Sequence, residues 1–257
     1  MNKLNLIKIG GNLIDDAIQL DSFLNRFAQL EGAKVLVHGG GKMATSMAEK
    51  MGLSVQMIEG RRITDASNLE IITMVYGGLI NKKIVAQLQA HGSNALGLSG
   101  ADGNSILAQK RVAAPIDFGF VGDITTVNTK SITALISLDI VPVMSPITHD
   151  GEGQLLNTNA DTIAATVAAA LTEHYDVHLH YCFDKDGVLE NINDETSIIR
   201  TIDLQKYEQL KASENSAGGM LPKLHNCFEA LKKGVQKVHV GGPKMFDKTS
   251  FYTKIEL

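Results

Sequence analysis

Several protein classes are excluded by what this chain lacks. It has two cysteines in 257 residues, Cys182 and Cys227, both inside apolar or helical stretches. A disulfide framework or a thiolate zinc site needs more, so both read as buried thiols. Positive charge is not in excess: 24 Lys and Arg face 28 Asp and Glu, a formal net charge of −4. A general nucleic-acid binder would carry a basic surface instead. No apolar run reaches the roughly 18 residues of a membrane span. The first strand pattern begins almost at Met1, so no signal peptide is expected and a cytoplasmic enzyme is. There is no repeat, low-complexity segment or Pro/Gly/Ser linker.

The common nucleotide signatures are missing too. There is no G-x-x-x-x-G-K-[ST], no G-x-G-x-x-G after a strand, and no H-R-D or D-F-G. Gly39-Gly40-Gly41-Lys42 resembles a P-loop fragment, but no Ser or Thr follows the lysine. Asp184-Lys185-Asp186-Gly187 has the composition of a calcium loop, but the positions an EF-hand needs are not filled. No metal site is expected.

Ordinary globular material is present: 44% hydrophobic and 20% charged residues, enough for one large α/β domain or two lobes. Strand and helix patterns alternate. Strands are expected at Leu4–Ile9, Lys34–His38, Asn94–Ser99, Ile140–Met144, Val177–Tyr181 and Lys237–Val240, the last clear one. Helical spacing lies between them, including a long helix from the Thr64-Asp65-Ala66-Ser67 caps to about Ala90. Short alternating segments with Gly119 and Gly122 read as hairpins. Alternating βα units predict a mostly parallel, doubly wound sheet.

Two glycine loops follow strands. Leu6-Ile7-Lys8-Ile9 runs into Gly10-Gly11, and Val35-Leu36-Val37-His38 runs into Gly39-Gly40-Gly41. Side-chain-free loops let backbone N–H groups approach an anion, and Lys8 adds a placed charge. Asn157, Asn159 and Asp161 precede an alanine-rich helix. A capping role explains Asn159 but not all three. Arg62 is either a solvated loop charge or a bidentate carboxylate clamp. Ser216-Ala217-Gly218-Gly219-Met220 opens a helix that carries Lys223, a second glycine-edged phosphate site. Together these features point to phosphoryl transfer.

The set Lys8-Ile9-Gly10-Gly11, His38-Gly39-Gly40-Gly41, Arg62-Ile63-Thr64, Asn157-Thr158-Asn159-Ala160-Asp161 and Gly218-Gly219-Met220-Leu221-Pro222-Lys223 resembles the amino-acid kinase family. Order and spacing are similar to its N-acetylglutamate kinase branch over nearly the whole chain. The resemblance implies an open three-layer αβα sandwich with a mostly parallel central sheet, the carbamate kinase-like fold. It implies an acyl-glutamate-binding and dimerisation lobe over residues 1–174 and an ATP-binding lobe over 175–257. The implied reaction is ATP-dependent phosphorylation of the γ-carboxylate of N-acetyl-L-glutamate, an early step of arginine biosynthesis. Mg²⁺ arrives with ATP.

The resemblance also assigns roles. Lys8 and Lys223 would hold the transferring phosphoryl group from opposite sides, with Asp161 placing both. Gly40, Gly41, Arg62, Asn157 and Asn159 would bind the acyl-glutamate. Gly10, Gly11, Asp184, Gly187, Val188, Leu189, Ser216, Ala217, Gly218 and Gly219 would bind ATP. The chain departs from the pattern at Phe183, where Ser or Thr usually precedes Asp184. No helix precedes the first strand, so arginine insensitivity and a homodimer, rather than a larger ring, are expected. The expected dimer element is the long helix, with Leu69, Ile72, Val75, Leu79 and Ile80 near one face. Rival readings are another N-acylglutamate such as N-succinylglutamate as acceptor, or a non-catalytic ligand-binding module. Neither nucleic acid nor membrane is an expected partner.

Overall fold

The computed structural model describes residues 1–58, 60–191, 193–212, 220–247 and 251–257. The expected Ser216, Ala217, Gly218 and Gly219 lie outside them.

The chain opens with β1 (Lys3–Ile9), a short helix α1 (Asn12–Asp15) and α2 (Ala17–Ala28). Next come β2 (Ala33–His38), α3 (Gly41–Lys50) and a small hairpin, β3 (Met57–Ile58) with β4 (Arg61–Arg62). Asp65 caps α4 (Ala66–Ile72), which continues through a π-helical segment, Thr73–Ile80, into α5 (Asn81–Ala90). The middle of the chain holds β5 (Ala95–Leu98), β6 (Ile106–Lys110), β7 (Gly122–Val127), α6 (Thr129–Ser137), β8 (Val141–Met144), β9 (Ile147–His149) and β10 (Leu155–Asn157). Last come α7 (Ala160–Ala170), β11 (Asp176–Cys182), β12 (Thr201–Ile202), α8 (Leu204–Ala212), α9 (Met220–Lys232), β13 (Lys237–Gly241) and β14 (Thr253–Ile255).

One eight-stranded sheet organises the molecule, in the order β12-β14-β13-β11-β1-β2-β8-β5. β14 is antiparallel to β13 and parallel to β12, so those two strands run against the other six. Parallel neighbours need crossover helices, and these cover both faces. Alternation along β1 divides its side chains between two cores. Leu4 and Leu6 pack with α7, α9, Val177 and Leu179 on one face. Ile7 and Ile9 pack with Phe23, Phe27, Ile84 and Leu88 on the other. A second, four-stranded sheet, β10-β9-β6-β7, carries the expected hairpins.

Two expectations need correction. Lys237–Gly241 is not the last strand, since Thr253–Ile255 folds back beside it. A three-residue strand shows too little alternation to be read from sequence. The expected dimer face of the long helix is core: Leu69, Ile72, Val75 and Ile80 are buried within the protomer, and only Leu79 of the five is exposed.

Candidate active site

β1, β2 and β11 are adjacent and parallel, and their ends coincide: Ile9 pairs with His38 on one side and Cys182 on the other. Ligands of open α/β sheets bind at such carboxyl ends. The two glycine loops therefore abut, and Gly39 N–H donates to Ile9 C=O at 2.9 Å. Gly40 has φ 151°, and a Cβ there would run into Ile80 Cδ1. A Cβ on Gly10 would lie 2.7 Å from Lys8 Nζ. Any larger residue at either position would enter occupied space. Gly11 and Gly40 precede α1 and α3, and neither helix has a side-chain cap, so no capping side chain satisfies their first amides.

His38, directly before the second loop, is fully buried. Its Nδ1–H donates to Gly39 C=O at 2.8 Å, and Nε2 accepts from Asn81 Nδ2 at 3.1 Å. Burial lowers its pKa to about 4. The ring is thus neutral at pH 7 and orients the loop carbonyl.

Lys8 lies on the α7 face of β1, like Leu4 and Leu6, because the side-chain period is two. There its Nζ meets Asp161 Oδ1 at 2.7 Å, and Lys223 Nζ meets Asp161 Oδ2 at 3.3 Å. Asn159 caps α7 by accepting from Asp161 N–H (2.9 Å) and Thr162 N–H (3.0 Å), which seats Asp161 in the first turn. Tyr181 Oη donates to Asp161 C=O at 3.0 Å, tying that turn to β11. Burial pushes the Asp161 carboxyl up, but the two ammonium groups outweigh it and hold the pKa below the usual value. One carboxylate thus gathers two cations from distant parts of the chain.

Arg62 is buried, with Nη2 donating to Gly41 C=O at 3.0 Å and Thr45 Oγ1 at 2.6 Å. Among the described residues no carboxylate forms an ion pair with it. A buried guanidinium without a carboxylate suits an anionic ligand. Tyr76 stands beside it: burial raises the phenol's pKa, and Arg62 opposes that rise. Asn157 Nδ2 donates to Thr64 Oγ1 at 3.0 Å, linking the Asn-x-Asn-Ala-Asp block to the Arg62 segment.

On the other side, Asp184 Oδ2 accepts from Asn12 Nδ2 at 2.9 Å. Gly187, Val188 and Leu189 run into the C-terminal strands instead. Val188 is buried and its N–H donates to Thr253 Oγ1 at 2.8 Å, while Leu189 bridges to Ile198. The structure therefore brings Lys8, Asp161, Lys223, both glycine loops and Asp184 to the ends of the central strands, with Arg62 beside α3. Motif reading missed Thr45, Tyr76 and Asn12, none of which stands in a recognisable pattern. Cys182 and Cys227 are free and buried, and burial pushes both thiols up.

A model of the amino acid kinase family matches residues 3–242. The chain belongs to the amino acid kinase family. A relative named acetylglutamate kinase, from Bacteroides fragilis, is 52% identical over 236 residues, covering 92% of this chain and 90% of that one. Among solved structures, an N-acetylglutamate synthase from Neisseria gonorrhoeae, complexed with coenzyme A and N-acetyl-glutamate, superposes with TM-score 0.83 at 19% identity. The match covers all of this chain but only 59% of that one. Carbamate kinase from Giardia lamblia, bound to AMP-PNP, gives TM-score 0.65 at 14% identity, with 99% of this chain and 98% of that one covered. These two likenesses concern the fold alone, and they agree with the amino acid kinase sheet described above.

Proposed function

We propose that this chain is a kinase that transfers the terminal phosphoryl group of ATP to the γ-carboxylate of N-acetyl-L-glutamate. The products are an acyl phosphate and ADP, at an early step of arginine biosynthesis. Relatives named acetylglutamate kinase over nine-tenths of the chain support it. The observation that carries the chemistry is the Lys8–Asp161–Lys223 cluster at the strand ends.

A carboxylate oxygen of the acceptor attacks the γ-phosphorus. The new P–O bond forms as the bond to the β–γ bridging oxygen breaks, and that electron pair leaves with ADP. The acceptor is already ionised at pH 7, so no base is needed. Negative charge spreads over the equatorial oxygens, and positioning plus positive charge do most of the work. Lys8 and Lys223 supply that charge from two directions, and Asp161 is a positioning residue for both. Gly11, Gly40 and Gly41 present N–H donors. Arg62 clamps the acceptor's α-carboxylate, with Asn157 and Asn159 completing its pocket.

The lobe over residues 1–174 serves the acyl-glutamate, and the lobe over 175–257, from β11 onward, serves ATP. Magnesium would come with the nucleotide, because Asp161 is already engaged by two ammonium groups. The phosphates would then provide its anchoring ligands. We further propose a cytoplasmic homodimer. No helix among the described residues is long and apolar enough to cross a membrane. Trapping the acyl phosphate with hydroxylamine, in the presence of ATP and N-acetyl- or N-succinylglutamate, tests the reaction and the acyl group. No hydroxamate from either acceptor overturns the assignment.

A further inference from the structure

Lys42 is the second residue of α3, and it is exposed. Its ammonium contacts Asn12 Oδ1. Asn12 in turn donates Nδ2 to Asp184 Oδ2 at 2.9 Å. The three residues follow β2, β1 and β11, which are neighbours ending at one level. The relay Lys42–Asn12–Asp184 therefore crosses the mouth of the site, from the acceptor side to the nucleotide side.

Three physical points single out Lys42. A cation in the first turn of a helix opposes the helix dipole. Among the described residues no carboxylate pairs with it to offset that cost. Its partner is instead an amide oxygen, and the orientation of that amide is set by charge on both sides. The Asp184 carboxylate demands the NH₂ end and the Lys42 ammonium demands the oxygen. Asp184 thus turns Asn12, and Asn12 aims Lys42.

Lys42 also flanks the loop that Lys8 serves. Lys8 Nζ occupies the space a side chain on Gly10 would need, with its own side chain 11% exposed. Lys42 reaches the residue after Gly11 from the solvent side.

We propose that Lys42 is a third cation of the phosphoryl-transfer site, which binds the terminal phosphate of the nucleotide, with Asn12 and Asp184 as positioning residues. The inference rests on the phosphotransferase reading above. When the triphosphate enters, Lys42 exchanges the Asn12 oxygen for a phosphate oxygen. It stays protonated and forms no covalent bond.

The test uses the full chain with Lys42→Met, Lys42→Gln and Asn12→Ala. Calorimetry gives the affinities for Mg-ADP and Mg-AMP-PNP, and turnover is measured with N-acetylglutamate. Loss of one charge-assisted contact to the terminal phosphate should weaken AMP-PNP about tenfold, leave ADP within about twofold, and lower kcat about tenfold or more. Asn12→Ala should show the same pattern with a smaller amplitude. Equal weakening of ADP and AMP-PNP, or wild-type values for both and for kcat, overturns the proposal. Lys8→Met is run alongside. A dead Lys8→Met with a wild-type Lys42→Met sinks only the Lys42 role, whereas a fully active Lys8→Met sinks the phosphotransferase reading itself.

Discussion

The two lysines on Asp161 sit in unlike surroundings. Lys8 projects from the central strand, 2.7 Å from the carboxylate and 11% exposed, and its ammonium fills the space beside Gly10 where a side chain would lie. Lys223 projects from the first turn of α9, at 3.3 Å and 29% exposed. Strand pairing on both sides of β1 fixes the Lys8 backbone, whereas Lys223 reaches the carboxylate from a helix, over a longer distance and with more exposure. One cation is therefore built into the sheet and the other is brought to it, although both serve one carboxylate.

Substituting each lysine by arginine and by alanine tests this asymmetry. Lys8→Ala and Lys223→Ala should each lower kcat by about 10²–10³, the cost of a transition-state charge contact of roughly 2–4 kcal/mol. Lys8→Arg should be as inactive as Lys8→Ala, because the bulkier planar guanidinium presents its charge with a different geometry at a side chain that is almost fully buried. Lys223→Arg should recover a measurable part of the loss. Equal rates for the two arginine variants would erase the distinction between the sites.

Asp161 is the point at which both lysines meet. Asp161→Asn keeps the shape but leaves two neighbouring cations without their shared anion. Turnover should fall by about 10²-fold, with ATP affinity changing less, because the orientation of the lysines matters most as charge develops. A loss confined to ATP affinity would place Asp161 on the nucleotide instead.

Arg62 extends the comparison to the acceptor side. Lysine there keeps the charge but loses the fork that holds Gly41 C=O and Thr45 Oγ1. Arg62→Lys should raise KM for the acyl-glutamate by about tenfold and change KM for ATP little. Equal rises in both would separate Arg62 from the α-carboxylate.

How much of this was legible follows from the physics of each element. β1 and β2 are apolar runs that end in glycine loops, and α7 is long and capped, so run composition and capping residues marked them. β12 and β14 have two and three residues, too few for periodicity. The π-helical segment Thr73–Ile80 continues the apolar run of the helices on either side of it and left no trace in the spacing. Glycines after strands announced an anion site. That Lys8 and Lys223 converge on Asp161 came from the family resemblance, because contacts across a sheet carry no local signal. The long helix showed an apolar face correctly, but periodicity cannot tell a core from an interface, and the core won.

The smallest effect concerns acid stability, and it separates the scaffold from the site. Burial lowers the pKa of His38 and of His239 to about 4, against an ordinary value near 6.5. Between those values the unfolded chain binds protons that the folded chain does not. Stability therefore rises with pH across this window and is lost as pH falls through it, by up to ~1.4 kcal/mol per pH unit for each histidine, and less for the more accessible His239. Asp161 acts lower down. Its folded pKa lies below the usual carboxylate value, so its contribution is intact above about pH 4 and lost only below. Denaturant unfolding between pH 4 and 7 should thus show a slope that flattens in a His239→Phe variant and is unchanged in Asp161→Asn. The reverse pattern would mean that the ion-pair cluster, rather than the buried histidines, sets the acid limit of the fold.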